Sequence, residues 1–451
     1  MARTARVVLL LAAAGVLAEA QNIRITWIGQ SCFVIQTEGG PTVVTDPPAA
    51  STGYPLPALT ADVVTISHNH TDHNYTAGVG GQFTVVDGRA VTARTQMTAA
   101  QMPFLLLPGW HDNQKGAQRG QNTMVRWTQS GIVFAHMGDF GEDQLSDEQL
   151  AGLRDVDVLF VPSGGFYTVD AERAAALVKQ LKPRVAIAMH FRTALGGPAQ
   201  LAAFPDAVRP LEPLVYKPAR VTVNRTTLPA STQVWVMEAA ADVAAVNAAS
   251  SAAGVPVAPG SLTSLYGAFA GASTVSASAW PLPRALGDTE VLVGAKAVPL
   301  IMVSPSQINF QLPAAQQAGQ AVVEVRVKGE RVARGSVTVL EGAPGLFALG
   351  RKRVRRGEAL EIYATGAGRV TPPVEDGAAA PAQPLSFTAA APAVYLDGRL
   401  IPVTFSGLAP GMAGLWQVNA AIPADASPGP DVSVLIIHGG IVSNQLSVAV
   451  E

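Results

Sequence analysis

The most constraining feature of this 451-residue chain is a single short segment, Ser67-His68-Asn69-His70-Thr71-Asp72-His73. The chain has 7 histidines in all, and three of them fall here beside an aspartate. The segment directly follows an apolar run, Val63 to Ser67, that reads as a buried strand. Imidazole nitrogen and carboxylate oxygen are the donors preferred by borderline divalent metals. On a loop leaving a strand, His68 and His70 alternate and can point the same way. The turn at Thr71 then swings Asp72 and His73 toward a second position. One loop can therefore supply half of the shell for two metal ions. The opposing view, a polar surface loop with incidental histidines, is disfavoured by the clustering.

Other strands are expected at Ile23 to Ile28 and Cys32 to Thr37, joined by Gly29-Gln30, and at Thr42 to Thr45, Ile132 to Ala135, Val158 to Val161 and Val185 to Met189. Several end at polar or glycine residues: Asp46-Pro47-Pro48, His136-Met137-Gly138-Asp139, Pro162-Ser163-Gly164-Gly165 and His190. Layered α/β folds present their sites at such strand ends. The spacing of Ala171, Ala174, Ala175, Leu177, Val178 and Leu181 predicts a helix, with Asp170 as its N-cap and Pro183 as its stop.

The motifs in register resemble the metallo-β-lactamase superfamily, in particular its ascorbate-6-phosphate-lactonase-like branch. They comprise Ile25-Thr-Trp-Ile-Gly29-Gln-Ser-Cys-Phe33, Thr45-Asp46-Pro47, the H-x-H-x-D-H loop, Trp110-His111-Asp112, Arg119-Gly120-Gln-Asn122-Thr123, His136-Met-Gly138-Asp139 and Met189-His190. The resemblance spans residues 23 to 238 and implies an αββα sandwich with two divalent ions at one edge, zinc first, with manganese or iron as alternatives. It implies that His68, His70 and His111 hold one ion and Asp72, His73 and His190 the other, with Asp139 bridging. His111 is preferred to His136, which reads as a residue orienting a ligand. The implied chemistry is attack by activated water on a lactone, other ester, amide or phosphodiester, with Asp72 orienting the nucleophile. Two departures, Ser163 where the branch has Val and Phe191 where it often has Tyr, bear on substrate rather than on metal.

Hydrophobic content of 48% and charge of 14% suit folded domains. A net charge of −2 gives no reason to expect nucleic acid as partner. Arg3 and Arg6, the apolar stretch Val7 to Val16 and Ala18-Glu19-Ala20 read as a secretory signal over residues 1–20, with Gln21 opening a secreted or periplasmic mature chain. The single cysteine, Cys32, sits in an apolar run and reads as a buried thiol, so no internal disulfide is available.

Residues 21–238 are thus expected to form the hydrolase domain. Ala239 to Ala253 reads as a short helix or linker. Beyond it, short apolar runs between glycines and prolines announce an all-β region. That region carries a weak repeat: Gly260 to Tyr266 matches Gly357 to Tyr363, Val298-Pro299-Leu300 matches Ile401-Pro402-Val403, and Gln307-Ile-Asn309 matches Gln417-Val-Asn419. Two immunoglobulin-like sandwich modules are expected, at 239–344 and 345–451. They resemble a C-terminal module of secreted acidobacterial proteins, and surface or carbohydrate contact stands level with a spacer role. The rival to a hydrolase is an adhesion or binding protein whose metal domain is vestigial.

Minor signals carry less. Ser163 lies in no G-x-S-x-G elbow and reads as a turn residue. Arg192 is either a substrate contact or a solvated arginine. Arg351 to Arg356 is a basic run without aromatics, hence an exposed segment. Asn74 and Asn224 open glycosylation triplets too short to weigh.

Overall fold

The structure, a computed structural model, describes residues 21–54 and 56–451. The expected signal at 1–20 lies outside the described residues. No described helix is long and apolar enough to cross a membrane.

The first part is a pair of facing sheets. One has six strands in the order Arg220–Val223, Ile23–Gly29, Cys32–Thr37, Thr42–Thr45, Val63–Ile66, Thr84–Asp87. It is antiparallel up to Thr42–Thr45 and parallel from there on. The other has eight strands, in the order Leu214–Lys217, Gln233–Met237, Val185–Met189, Val158–Pro162, Ile132–His136, Gln121–Gln129, Met102–Trp110, Thr95–Ala99. Its first five strands are parallel and its last three antiparallel.

The two sheets share one core because the strands alternate. Ile23, Ile25, Trp27, Phe33 and Ile35 from the first face Trp127, Phe134 and Phe160 from the second. Phe33 meets Phe160 with ring centroids 4.4 Å apart, and Trp127 stacks on Phe134 at 5.2 Å. Strands Val158–Pro162 and Val185–Met189 are buried at every position. Being parallel neighbours, they need a crossover, and the helix Ala171–Leu181 supplies it. Asp170 caps that helix by accepting the Arg173 N–H at 2.8 Å. Lys182 closes it in the left-handed region at φ 49 before Pro183.

The αββα expectation needs correction on one face. Among the described residues the α-helices are Asp147–Gly152 and Ala171–Leu181, and both contact the eight-stranded sheet. Among the described residues the outer face of the six-stranded sheet is covered by chain without an α-helix, only the short 3-10 turns Ala50–Thr52 and Thr76–Gly78. Ile28, Cys32, Val44, Val64 and Ile66 pack there on Leu59, Ala61 and Val79. The covering segment carries Pro47, Pro48 and Pro57, which break a helix.

Ala239 to Ala253 is not a helix either. Val243–Asn247 is a strand, paired antiparallel with Leu262–Gly267. Pairing with a partner 20 residues away outweighs the local helix preference of alanine. From here the described chain forms four more sheets around two apolar clusters. One cluster centres on Leu265, Val291, Ile308, Phe310, Val323 and Val337. The other centres on Leu360, Ile362, Val394, Trp416, Val418 and Ile436.

The repeat is visible in the pairing. Tyr266 lies opposite Gln307 as Tyr363 lies opposite Gln417. Gln307 donates to Asn309 at 2.9 Å and Gln417 to Asn419 at 3.0 Å. The neighbouring strands are irregular at the same point, between Leu300 and Met302 and between Val403 and Phe405.

Candidate metal centre

The loop Ser67 to His73 leaves strand Val63–Ile66 at the edge where the two sheets meet. His111 follows strand Met102–Trp110, Asp139 lies three residues beyond strand Ile132–His136, and His190 follows strand Val185–Met189. Four strand ends thus converge. His190 turns there with φ 52, and its N–H donates to the Gln30 carbonyl at 3.1 Å.

Asp139 stands at the centre. Its Oδ2 lies 3.1 Å from Nε2 of His111, 3.1 Å from Nε2 of His190, 3.3 Å from Nε2 of His73 and 3.8 Å from Nε2 of His68. His68 Nε2 is 2.9 Å from His70 Nδ1, and Asp72 Oδ2 is 3.4 Å from His73 Nε2. His68, His73, His111, Asp139 and His190 are buried, whereas His70 is exposed and Asp72 partly so. All seven residues singled out in the sequence therefore meet in one place. Two of the His/Asp groupings that could hold an ion are His68, His70, His111 and Asp72, His73, His190.

A third grouping, Asp46 with His68 and His73, is of another kind. Asp46 is fully buried and has φ 37. Its carboxylate accepts the Ser67 N–H at 2.8 Å, the Ser67 hydroxyl at 2.5 Å and His73 Nδ1–H at 2.9 Å. With its proton committed to Asp46, the Ser67 Oγ accepts from His68 Nδ1 at 2.9 Å. Asp46 thus fixes the tautomer of two imidazoles and turns both Nε2 lone pairs inward.

That arrangement fits a cation. Inward lone pairs on His68 and His73 face carboxylate oxygens, which repel them unless positive charge lies between. His73 Nε2 and Asp139 Oδ1 are buried without a hydrogen-bond partner, a costly state for polar atoms. Protons supply part of the charge. Burial opposes a charged His73, but Asp139 and Asp72 outweigh it and hold its pKa well above the ordinary value. Burial likewise works against ionised Asp139, yet His190, His73 and His111 keep it well below the carboxylate range. His68 is pushed well down, by burial and then by His73.

His136 is not among the converging groups. Its Nε2 bonds the Ser31 carbonyl at 2.8 Å and its Nδ1 accepts the Gly138 N–H at 3.1 Å, so both nitrogens are spent. Sequence reasoning assigned no role to three further residues. Asp46 stood in a quoted motif, Thr45-Asp46-Pro47, without a function. Gln30, taken as a mere joint between strands, donates to Asp72 Oδ2 at 3.0 Å and lies 2.8 Å from His190 Nε2. Asn122 accepts the Asp139 N–H at 2.8 Å and donates to the Met137 carbonyl at 2.9 Å.

A cleft of about 630 Å³ opens over the centre, bordered by Thr52, Asn69, Asp72, Tyr167 and Pro198. Ser163 is fully buried beside the Gly164–Asp170 bridge, and its hydroxyl has no hydrogen-bond partner. Arg192 is exposed and does not line the cleft. Cys32 is buried, and burial pushes its thiol pKa up. The basic run is exposed except at Val354, with Arg351 paired to Glu358 and Arg353 to Glu451.

Residues 24–190 match the family model described as "Beta-lactamase superfamily domain". A UPF0173 metal-dependent hydrolase of Anaeromyxobacter dehalogenans is 29% identical over 239 residues, covering 42% of this chain and 84% of the relative. One from Carboxydothermus hydrogenoformans is 27% identical over 215 residues, covering 42% of this chain and 93% of the relative. A Thermotoga maritima crystal structure, described as a Zn-dependent hydrolase of the metallo-beta-lactamase superfamily, shares 29% identity with a TM-score of 0.38, covering 48% of this chain and 98% of that one. With its paired sheets and its His/Asp clusters at the strand ends, the N-terminal part of this chain has the metallo-β-lactamase superfamily fold, with metal-binding clusters consistent with a metal-dependent hydrolase.

Proposed function

We propose that this protein is an exported hydrolase working with two divalent ions, zinc first, on a lactone, other ester, amide or phosphodiester. The observation that carries the proposal is the surrounding of one carboxylate oxygen, Asp139 Oδ2, by four imidazole Nε2 atoms within 3.8 Å. His68, His70 and His111 would hold one ion and Asp72, His73 and His190 the other, with Asp139 between them. Ions so held lower the pKa of water and polarise a carbonyl or phosphoryl oxygen.

The remaining work falls to the protein. Asp46 and Ser67 keep His68 and His73 in the tautomers that present Nε2. Gln30 fixes Asp72, the half-buried carboxylate that borders the cleft and orients the attacking oxygen. Asn122 holds the backbone of Asp139.

Residues 1–20 would direct export, residues 21–238 carry the chemistry, and 239–344 and 345–451 form two immunoglobulin-like modules serving as spacer or surface contact. A vestigial metal domain is the weaker reading, because none of the seven ligand positions is missing.

The test is a four-member panel (lactone, carboxylic ester, amide, phosphodiester) offered to zinc- and manganese-loaded protein. At least one member should be hydrolysed, and Asp139→Ala should abolish that turnover. Failure on every member with both metals overturns the proposal. N-terminal sequencing of exported protein should start at Gln21.

A further inference from the structure

A second cleft of about 240 Å³ adjoins the metal cleft, and the two share His111 and Tyr167. Its walls include Asp112, Arg119, Glu142, Asp143, Phe166 and Arg173. The carboxylates here are already engaged. Asp112 accepts the backbone N–H groups of Gln114, Gly116, Gln118 and Arg119 at 2.7 to 3.0 Å. Glu142 accepts from Gln149 at 2.8 Å and from the Trp110 N–H at 3.1 Å. Asp143 pairs with Arg173 at 3.3 Å, and Asp170, at the rim, caps its helix.

Arg119 is different. Among the described residues it makes no ion pair, and its guanidinium has one side-chain hydrogen bond, to Gln118 at 3.5 Å. It lies instead over two aromatic rings, 5.7 Å from the centroid of Phe166 and 5.6 Å from that of Tyr167. Phe166 is 60% exposed and has φ 54, a conformation unusual for a bulky residue. The loop that carries Arg119 is fixed from beneath by Asp112, and the aromatic pair holds the guanidinium from the side. A guanidinium held beside aromatic rings and free of carboxylate partners keeps its N–H groups available for bidentate binding of an oxyanion.

We infer that Arg119 on the Phe166–Tyr167 platform is an anion subsite, and that the substrate carries a carboxylate or phosphate group beyond the bond cleaved at the metal centre. This rests on the hydrolase reading for the word substrate, but the subsite itself can be tested by binding alone. The four carboxylates of the cleft do not forbid it. Both oxygens of Asp112 and Oε1 of Glu142 have donors, and Asp143 and Asp170 sit at the solvent-screened rim.

The experiment uses the full metal-loaded chain, with Arg119→Met and Arg119→Lys as variants. Glutarate and glycerol 1-phosphate are titrated calorimetrically into each protein, and metal content and melting temperature verify folding. Losing a charge-assisted bidentate contact should weaken the favoured anion by about 10- to 100-fold in Arg119→Met. Arg119→Lys should fall between, since it keeps the charge without the fork. Weakening of glutarate alone assigns a carboxylate, and weakening of glycerol 1-phosphate alone assigns a phosphate. Unchanged affinity for both anions in folded Arg119→Met overturns the inference, whether or not any ester is hydrolysed. Hydrolysis failing on all substrates while the anion effect persists would sink the catalytic reading and leave the subsite standing.

Discussion

Asp46 Oδ2 stands 2.9 Å from His73 Nδ1, and neither side chain reaches solvent. A carboxylate behind an imidazole fixes its tautomer and raises its basicity toward whatever lies on the other side. Asp46→Ala should therefore lower metal affinity by about 10- to 100-fold without touching a ligand. Competition against a chromogenic chelator measures this. An unchanged affinity would show that His73 is oriented by other means.

Gly164 lies against His190. A Cβ placed on Gly164 would collide with the His190 carbonyl oxygen and come within 3.0 Å of Phe191 Cα. The neighbours are backbone atoms, which cannot rotate away. Gly164→Ala should cost about 1–3 kcal/mol of stability through overpacking. Because the displaced segment carries His190, it should also weaken the metal site. Chemical denaturation together with metal content reads both effects, and a variant normal in both would contradict this packing.

Glu238 directly follows strand Gln233–Met237, and burial pushes its carboxyl up to about 8. Among the described residues no hydrogen bond satisfies its side chain. In the unfolded chain the group titrates near 4.3, so between that pH and about 8 the folded state holds a proton that the unfolded state has lost. Stability contributed by this group is thus fully present below the unfolded value and declines as pH rises toward about 8. Glu238→Gln should flatten that decline, raising the melting temperature at pH 8 more than at pH 5. Equal shifts at the two pH values would show that Glu238 is ionised in the fold.

The periodic parts of this fold were plain from residue order. Alternation in Ile23 to Thr37 and the apolar runs at Val158 and Val185 anticipate their strands, and Asp170 anticipates its helix. The His68 to His73 loop declared itself because its donors are adjacent. His111, Asp139 and His190 are single residues at separate strand ends, and only their place in a motif series drew them together. Asp46 passed without a role because an aspartate before two prolines also looks like an ordinary turn. The strand Val243–Asn247 was masked by its alanines, whose helix preference is local while the strand depends on a partner at Leu262–Gly267. The missing helical layer had the same origin: what covers the outer face of the six-stranded sheet is decided by packing of Leu59, Ala61 and Val79, not by periodicity.

The central claim is that Asp139 lies between two ions. Elemental analysis of protein purified without chelator, then of Asp139→Ala, tests it most directly. The account predicts about two equivalents of divalent metal in the wild type and a loss of at least one in the variant, which should remain folded. A wild type that stays metal-free after incubation with zinc and manganese, or a variant that keeps both ions, would contradict it.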